Sequence, residues 1–321
     1  MSTAVVIILM FLLGLVLTIK GGDFFVDAAS WIAEVSGIPK FLIGATIVSL
    51  ATTLPELLVS LMASASGSIG IAVGNAVGSV TANIGLIMGI SVVCLASAID
   101  RKQQALKFVL MAASIALLFA FSASGHLSIP GSIVLLLMFL FTMAESVVSA
   151  RKAMKQDDGQ DKPDSDRRTV IINIAKFVAG VAGIVIGARL MVDYGTKLAQ
   201  LLGVPDSIIG ATLVAVGTSL PELVTTITAL VKKQASLSIG NIIGANIIDL
   251  TLILPLCSVV SGKALPILRQ NILLDMPFCL GLSLLAVVPP LISGRFHKLQ
   301  GAALLAIYAV YVVLLCTGVV A

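Results

Sequence analysis

Two glutamates in apolar surroundings carry the most chemistry in this sequence. Glu56 closes the stretch Gly44-Ala45-Thr46-Ile47-Val48-Ser49-Leu50-Ala51-Thr52-Thr53-Leu54-Pro55-Glu56. Glu222 closes Gly210-Ala211-Thr212-Leu213-Val214-Ala215-Val216-Gly217-Thr218-Ser219-Leu220-Pro221-Glu222. On a helix, Ser49, Thr52 and Thr53 share a face with Glu56, and Ala215, Thr218 and Ser219 share one with Glu222. Pro55 offers no N–H to the carbonyl of Ala51, nor Pro221 to that of Gly217. Both helices should therefore kink there, freeing carbonyl oxygens beside the hydroxyls. A carboxylate at membrane depth costs about 3 kcal/mol on insertion scales, so it is rarely there without a cation or proton to meet. Oxygen-only groups of this kind suit hard cations such as Ca²⁺ and Na⁺.

A second pair of segments supplies further walls. Ser79 and Asn83 stand four residues apart on one helix face, and Ala245 and Asp249 repeat the spacing. Gly74 with Gly78, and Gly240 with Gly244, form small-xxx-small pairs that let helices approach closely. The expected cluster holds Glu56, Glu222, Asp249, the amide of Asn83, Thr52 and Thr218. Three carboxylates match one Ca²⁺, which typically takes about six to eight oxygens, or two or more Na⁺. Freed backbone at that depth is tolerated only where it lines a cavity or meets an ion.

The elements that hold these residues must cross a membrane. The chain is 58% hydrophobic and 11% charged, with mean hydropathy +1.12, whereas a soluble domain carries about 25% charged residues. Apolar runs long enough to span a bilayer recur throughout, and the short alternating segments of a β-barrel are absent. Ten spans are predicted, at 4–19, 41–65, 69–97, 105–122, 128–150, 170–188, 207–231, 236–261, 271–292 and 299–319. The first lacks a basic n-region and a cleavage site, and reads as a retained span rather than a signal peptide. Residues 151–169 are dense in charge and read as a hydrophilic linker between 1–150 and 170–321.

Lysine and arginine orient the spans. Sixteen of the 20 fall on the linker side and four (Arg189, Lys197, Lys263 and Arg269) on the other. The positive-inside rule then puts the linker in the cytoplasm and both termini outside, in a cell membrane. The net charge of +4 follows from this bias and implies no nucleic-acid partner.

The two halves are copies. A shift of 166 residues maps Gly21 on Gly187, Asp27 on Asp193, Pro55 on Pro221, Glu56 on Glu222, Asn75 on Asn241 and Asn83 on Asp249 without a gap. Each half carries five spans, an odd number, so the halves insert with opposite orientation. Inverted repeats with Pro-broken spans two and seven are a secondary-transporter signature.

The paired motifs G-x-T-x-x-x-x-T-[ST]-L-P-E and G-N-x-x-G-x-x-x-x-[ND] resemble the α-repeats of the sodium/calcium exchanger family, among the cation/Ca²⁺ antiporters. The resemblance covers about Gly21 to Leu86 and Gly187 to Leu252, and implies alternating-access exchange of Ca²⁺ for Na⁺ with Glu56 and Glu222 as central ligands. It implies that Thr52, Thr218, Asn83 and Asp249 complete the central site. Ser79, Thr53, Ser219 and the carbonyl of Ala215 match the flanking Na⁺ sites. Three departures stand out: Ala245 replaces a Ser, Ser49 an Ala and Ala51 a Gly. The first removes a hydroxyl from one flanking Na⁺ site.

Other residues read more plainly. Asp27 and Asp193 are expected as helix caps, and Glu145 near Arg151 and Asp275 near Arg269 as interfacial groups. Cys94, Cys257, Cys279 and Cys316 lack C-x-x-C spacing and read as packing. His126 and His297 fall in loops. No cofactor, obligate protein partner or catalytic constellation is visible, so the expected partners are Ca²⁺, Na⁺ and the lipid bilayer. A Ca²⁺/H⁺ antiporter is the alternative transporter, though that branch carries its acid in a G-N-x-x-E setting. A cation channel would more often build its ring by oligomeric symmetry.

Overall fold

The computed structural model describes residues 3–95, 98–156, 166–202, 217 and 219–317. Apart from a two-residue ladder it is helical. Helix α1 runs Thr3–Ser36, α2 Lys40–Thr52, α3 Leu54–Ala65, α4 Ile69–Cys94, α5 Arg101–Ser122 and α6 Ile129–Gln156. Helix α7 spans Arg167–Leu201, α8 Leu220–Val231, α9 Ala235–Ser261, α10 Asn271–Ser293 and α11 Lys298–Thr317. Among the described residues eight helices are long and apolar enough to cross a membrane, or nine if α2 and α3, which meet at 45°, form one bent span. The expected span 207–231 is described as a helix only from Leu220 onward. At 12 residues, α8 alone is too short for a hydrocarbon layer of about 30 Å.

Two elements outrun their hydropathy. Helices α1 and α7 have 34 and 35 residues, where the sequence suggests spans of 4–19 and 170–188. At about 1.5 Å per residue each exceeds the bilayer core, so they must tilt or protrude. Polar residues end the apolar run but not the helix. Asp27 lies inside α1 and meets Lys232 Nζ at 2.7 Å, and Asp193 lies inside α7 at 4.0 Å from Arg189. Neither caps a helix, contrary to the sequence reading; the actual cap on α7 is Asp166, which accepts from Thr169 N at 2.8 Å.

Helices α4 and α9 form the centre: 72% and 83% of their apolar stretches are buried, against 22% in α1 and in α7. Glycine permits this density. On α9, a Cβ at Gly244 would lie 2.6 Å from the carbonyl of Ala45 on α2, and one at Gly240 would strike the carbonyl of Phe41. By the repeat, the contacts expected of Gly74 and Gly78 fall on residues outside the described set. Large apolar side chains such as Leu12, Val16, Leu137 and Phe141 cover the outer faces of α1 and α6 and remain exposed, as lipid contact requires.

The loops sort to two ends. At one, Ala98 bridges Arg295, Ile99 N donates to Gly294 O at 3.0 Å, and Arg101 reaches the carbonyl of Ile292. A crevice of about 620 Å³ there is bordered by Lys40, Asp100, Lys233 and Gln234. At the other, strand β1 (His126–Leu127) pairs antiparallel with β2 (Leu265–Pro266). Arg101, Arg295, Lys40 and Lys233 gather at the first end.

Candidate functional site

The break between α2 and α3 positions the first glutamate. Thr53 sits at the junction with φ −82° and ψ −1°, Pro55 occupies the first turn of α3, and Glu56 follows it. Because proline has no N–H, the helix restarts there with its positive end toward Glu56. Ser219, Pro221 and Glu222 repeat the arrangement at the start of α8. Glu56 and Glu222 are each 1% exposed.

Asn83 and Asp249 enter from the two central helices, and each opens a π-helical stretch, Asn83–Met88 in α4 and Asp249–Ile253 in α9. Such widened turns are rare and concentrate at functional sites. Composition and periodicity carry no sign of them, because a π-turn is one extra residue of winding and leaves no compositional mark. Both residues are 1% exposed.

The four groups are short of protein partners. Glu56 Oε1 and Oε2, Glu222 Oε2, Asp249 Oδ1 and Oδ2, Asn83 Oδ1, Ser79 Oγ and Ser219 Oγ are buried without a hydrogen bond. The remaining carboxylate oxygen, Glu222 Oε1, accepts from Thr53 Oγ1 at 3.4 Å, a contact that crosses from one repeat to the other. Glu222 and Asp249 both lie in electrostatic range of Glu56. Buried, unpaired charge of one sign is unfavourable by several kcal/mol per ion, so the cluster calls for a cation or protons. Among the described residues no three His, Cys, Asp or Glu side chains converge as a set that could hold one metal ion. Thr218 and Ala215, expected in this site, lie outside the described residues.

Neighbouring amides brace the site. Thr52 Oγ1 lies 3.2 Å from Asn241 Oδ1 and 3.3 Å from the carbonyl of Ser49. Asn75, the repeat counterpart of Asn241, donates to Ser60 Oγ at 3.0 Å and to the carbonyl of Glu56 at 3.4 Å. Ala245 is fully buried and offers no hydroxyl opposite its counterpart Ser79. Sequence reasoning noted Asn75 and Asn241 as motif positions without giving them this bracing work.

A many-spanning helical protein with buried carboxylates at two repeat-related Leu-Pro-Glu helix starts has the architecture of a secondary transporter. The chain belongs to the sodium/calcium exchanger family, whose sodium/calcium exchanger protein pattern it matches over residues 6–148 and 172–317. This is a family of transporters, not of enzymes. It is 34% identical to the sodium/calcium exchanger MaX1 of Methanosarcina acetivorans, across 96% of this chain and 97% of that protein. It is 33% identical to the inner membrane protein YrbG of Escherichia coli, across 81% and 80%. Its fold overlays the sodium-calcium exchanger NCX_Mj, solved after soaking with zero Na⁺ and Ca²⁺, with TM-score 0.82 and 32% identity over 98% of this chain and 100% of that one.

Proposed function

We propose that this protein exchanges Ca²⁺ for Na⁺ across a cell membrane by alternating access, with Glu56 and Glu222 as the shared ligands. The observation that carries the reading is the burial of these two repeat-related carboxylates, each in the first turn of a helix that opens Leu-Pro-Glu, with three of their four oxygens free of any hydrogen bond. A divalent ion neutralises the pair; two or more Na⁺ do so in its place, so occupancy by one ion excludes the other. That competition is the basis of antiport. Asp249, Asn83 and Thr52 border the same centre, with Ser79, Thr53 and Ser219 around it as Na⁺ contacts; Thr218 and the carbonyl of Ala215 complete the set by repeat symmetry. The family membership and the likeness to MaX1 and NCX_Mj support the same ions. Ten spans in two inverted halves, with the basic end in the cytoplasm and both termini outside, fit the sorting of the loops.

A Ca²⁺/H⁺ exchanger is the second reading, favoured by Ala245, which removes one hydroxyl from the Na⁺ ligand set. Uptake of ⁴⁵Ca²⁺ into proteoliposomes, driven by an outward Na⁺ gradient or by a pH gradient at matched potential, separates the two. Uptake under the Na⁺ gradient is expected; uptake under the pH gradient alone would replace it with the proton-coupled reading.

A further inference from the structure

Asn83 poses a problem that its counterpart Asp249 does not. A carboxylate presents two equivalent oxygens, but a carboxamide presents an oxygen on one side and an NH₂ of almost the same size on the other. Only the oxygen suits a cation. In the structure Asn83 Nδ2 donates to Asn246 Oδ1 at 3.0 Å, which leaves Asn83 Oδ1 buried and unpartnered. Asn246 is itself fully buried on α9, and its Nδ2 donates to Met111 Sδ on α5 at 3.4 Å. A thioether sulfur can accept but cannot donate. Turning Asn246 over would therefore set its oxygen against the sulfur and its NH₂ against that of Asn83.

We propose that Asn246 is a positioning residue that fixes the Asn83 carboxamide with its oxygen toward the transported ions, its own sense set by Met111. The repeat offers an internal comparison. The shift that carries Asn83 onto Asp249 carries Val80 onto Asn246. The amide ligand has an amide director; the carboxylate, which needs none, has a valine in the matching place. The inference rests on the reading of Asn83 as an ion ligand, and it makes Asn246 a determinant of affinity without contact to the ion.

A double-variant cycle in the full-length protein tests it, with Na⁺ and Ca²⁺ affinity read by calorimetry and by half-saturation of flux. Asn246→Val, which copies the counterpart Val80, is expected to weaken binding of at least one ion about fivefold, the effect of one lost hydrogen bond. In an Asn83→Asp background the same change should alter affinity less than twofold, because a carboxylate has no wrong side. A merely structural Asn246 would lower affinity equally in both backgrounds, and that result overturns the proposal. So does unchanged affinity in Asn246→Val while Asn83→Ala weakens binding, which spares the reading of Asn83. Unchanged affinity in Asn83→Ala overturns both. Asn246→Ser, too short to reach Asn83, provides a second lock-breaking variant should the valine form not fold.

Discussion

Lys107 Nζ lies 2.6 Å from Glu145 Oε2, joining α5 to α6 inside the apolar layer. The lysine is 1% exposed and also donates to the carbonyl of Thr142 at 2.7 Å and to Ser146 Oγ at 2.5 Å. In the sequence, Lys107 is one of the sixteen basic residues assigned to the linker side, and Glu145 reads as an interfacial group near Arg151. The second half has a different polar bridge at the related place: Tyr311, counterpart of Glu145, donates to Asp275 at 3.1 Å, and Asn271 donates to the same carboxylate at 2.7 Å. Asp275 is thus a buried, hydrogen-bonded group rather than an interfacial partner of Arg269.

Removing one member of the first bridge should destabilise the fold. Lys107→Met leaves Glu145 without its cation, a loss of about 3 kcal/mol, toward the low end because the glutamate side chain keeps 20% exposure. The double change Lys107→Met with Glu145→Gln should recover most of it. Thermal unfolding in detergent micelles reads both, and equal melting temperatures for the parent and Lys107→Met would remove the pair from the account of stability.

Glu56→Gln and Glu222→Gln should each stop Ca²⁺ exchange. Loss of one charged ligand costs about 1.5–3 kcal/mol or more, about 10- to 100-fold in affinity. Both variants should fold and melt at or above the parent temperature in ion-free buffer, since each removes buried like charge. Added Ca²⁺ should no longer raise that temperature. Parent-like ⁴⁵Ca²⁺ flux in both variants would dismiss the site.

Ala245→Ser restores a hydroxyl at the counterpart of Ser79. One neutral oxygen ligand adds about 1 kcal/mol, or about fivefold. The Na⁺ concentration at half-maximal Ca²⁺ flux should fall by that factor while Ca²⁺ affinity holds. An unchanged Na⁺ requirement would show that position 245 does not face a Na⁺ ion.

Gly244→Ala should impair folding, because its Cβ would stand 2.6 Å from the Ala45 carbonyl and overpacking costs about 1–3 kcal/mol. Gly281→Ala on α10 meets nothing within 4 Å among the described residues and is the control. Monodisperse yield by size-exclusion chromatography should fall for the first only.

Orientation is accessible by labelling. In a background without Cys94, Cys257, Cys279 and Cys316, Gln160→Cys should resist an impermeant maleimide in intact cells and Ser2→Cys should react. The reverse pattern would invert the topology derived from the positive charges.

One-dimensional signals were enough to place the chain in its class and to nominate Glu56 and Glu222 as the centre of the site. Hydropathy, the constant offset of 166 residues, and the Leu-Pro-Glu triplets are one-dimensional signals. They survive without coordinates because a buried carboxylate and a missing N–H have the same meaning in any helix packing. What faces what belongs to the tertiary structure. The 163-residue separation between Asn83 and Asn246, the pairing of Lys107 with Glu145, and the reach of Lys232 to Asp27 all arise where helices cross, and crossing points are fixed by glycine contacts such as Gly244 on Ala45. The length of α1 is of the same kind. Asp23 and Asp27 look like the end of an apolar span, yet Lys232, 205 residues or more along the chain, pairs with both where α1 runs on through them. Polarity along a chain marks where a span could stop; only the partner across the fold decides whether it does.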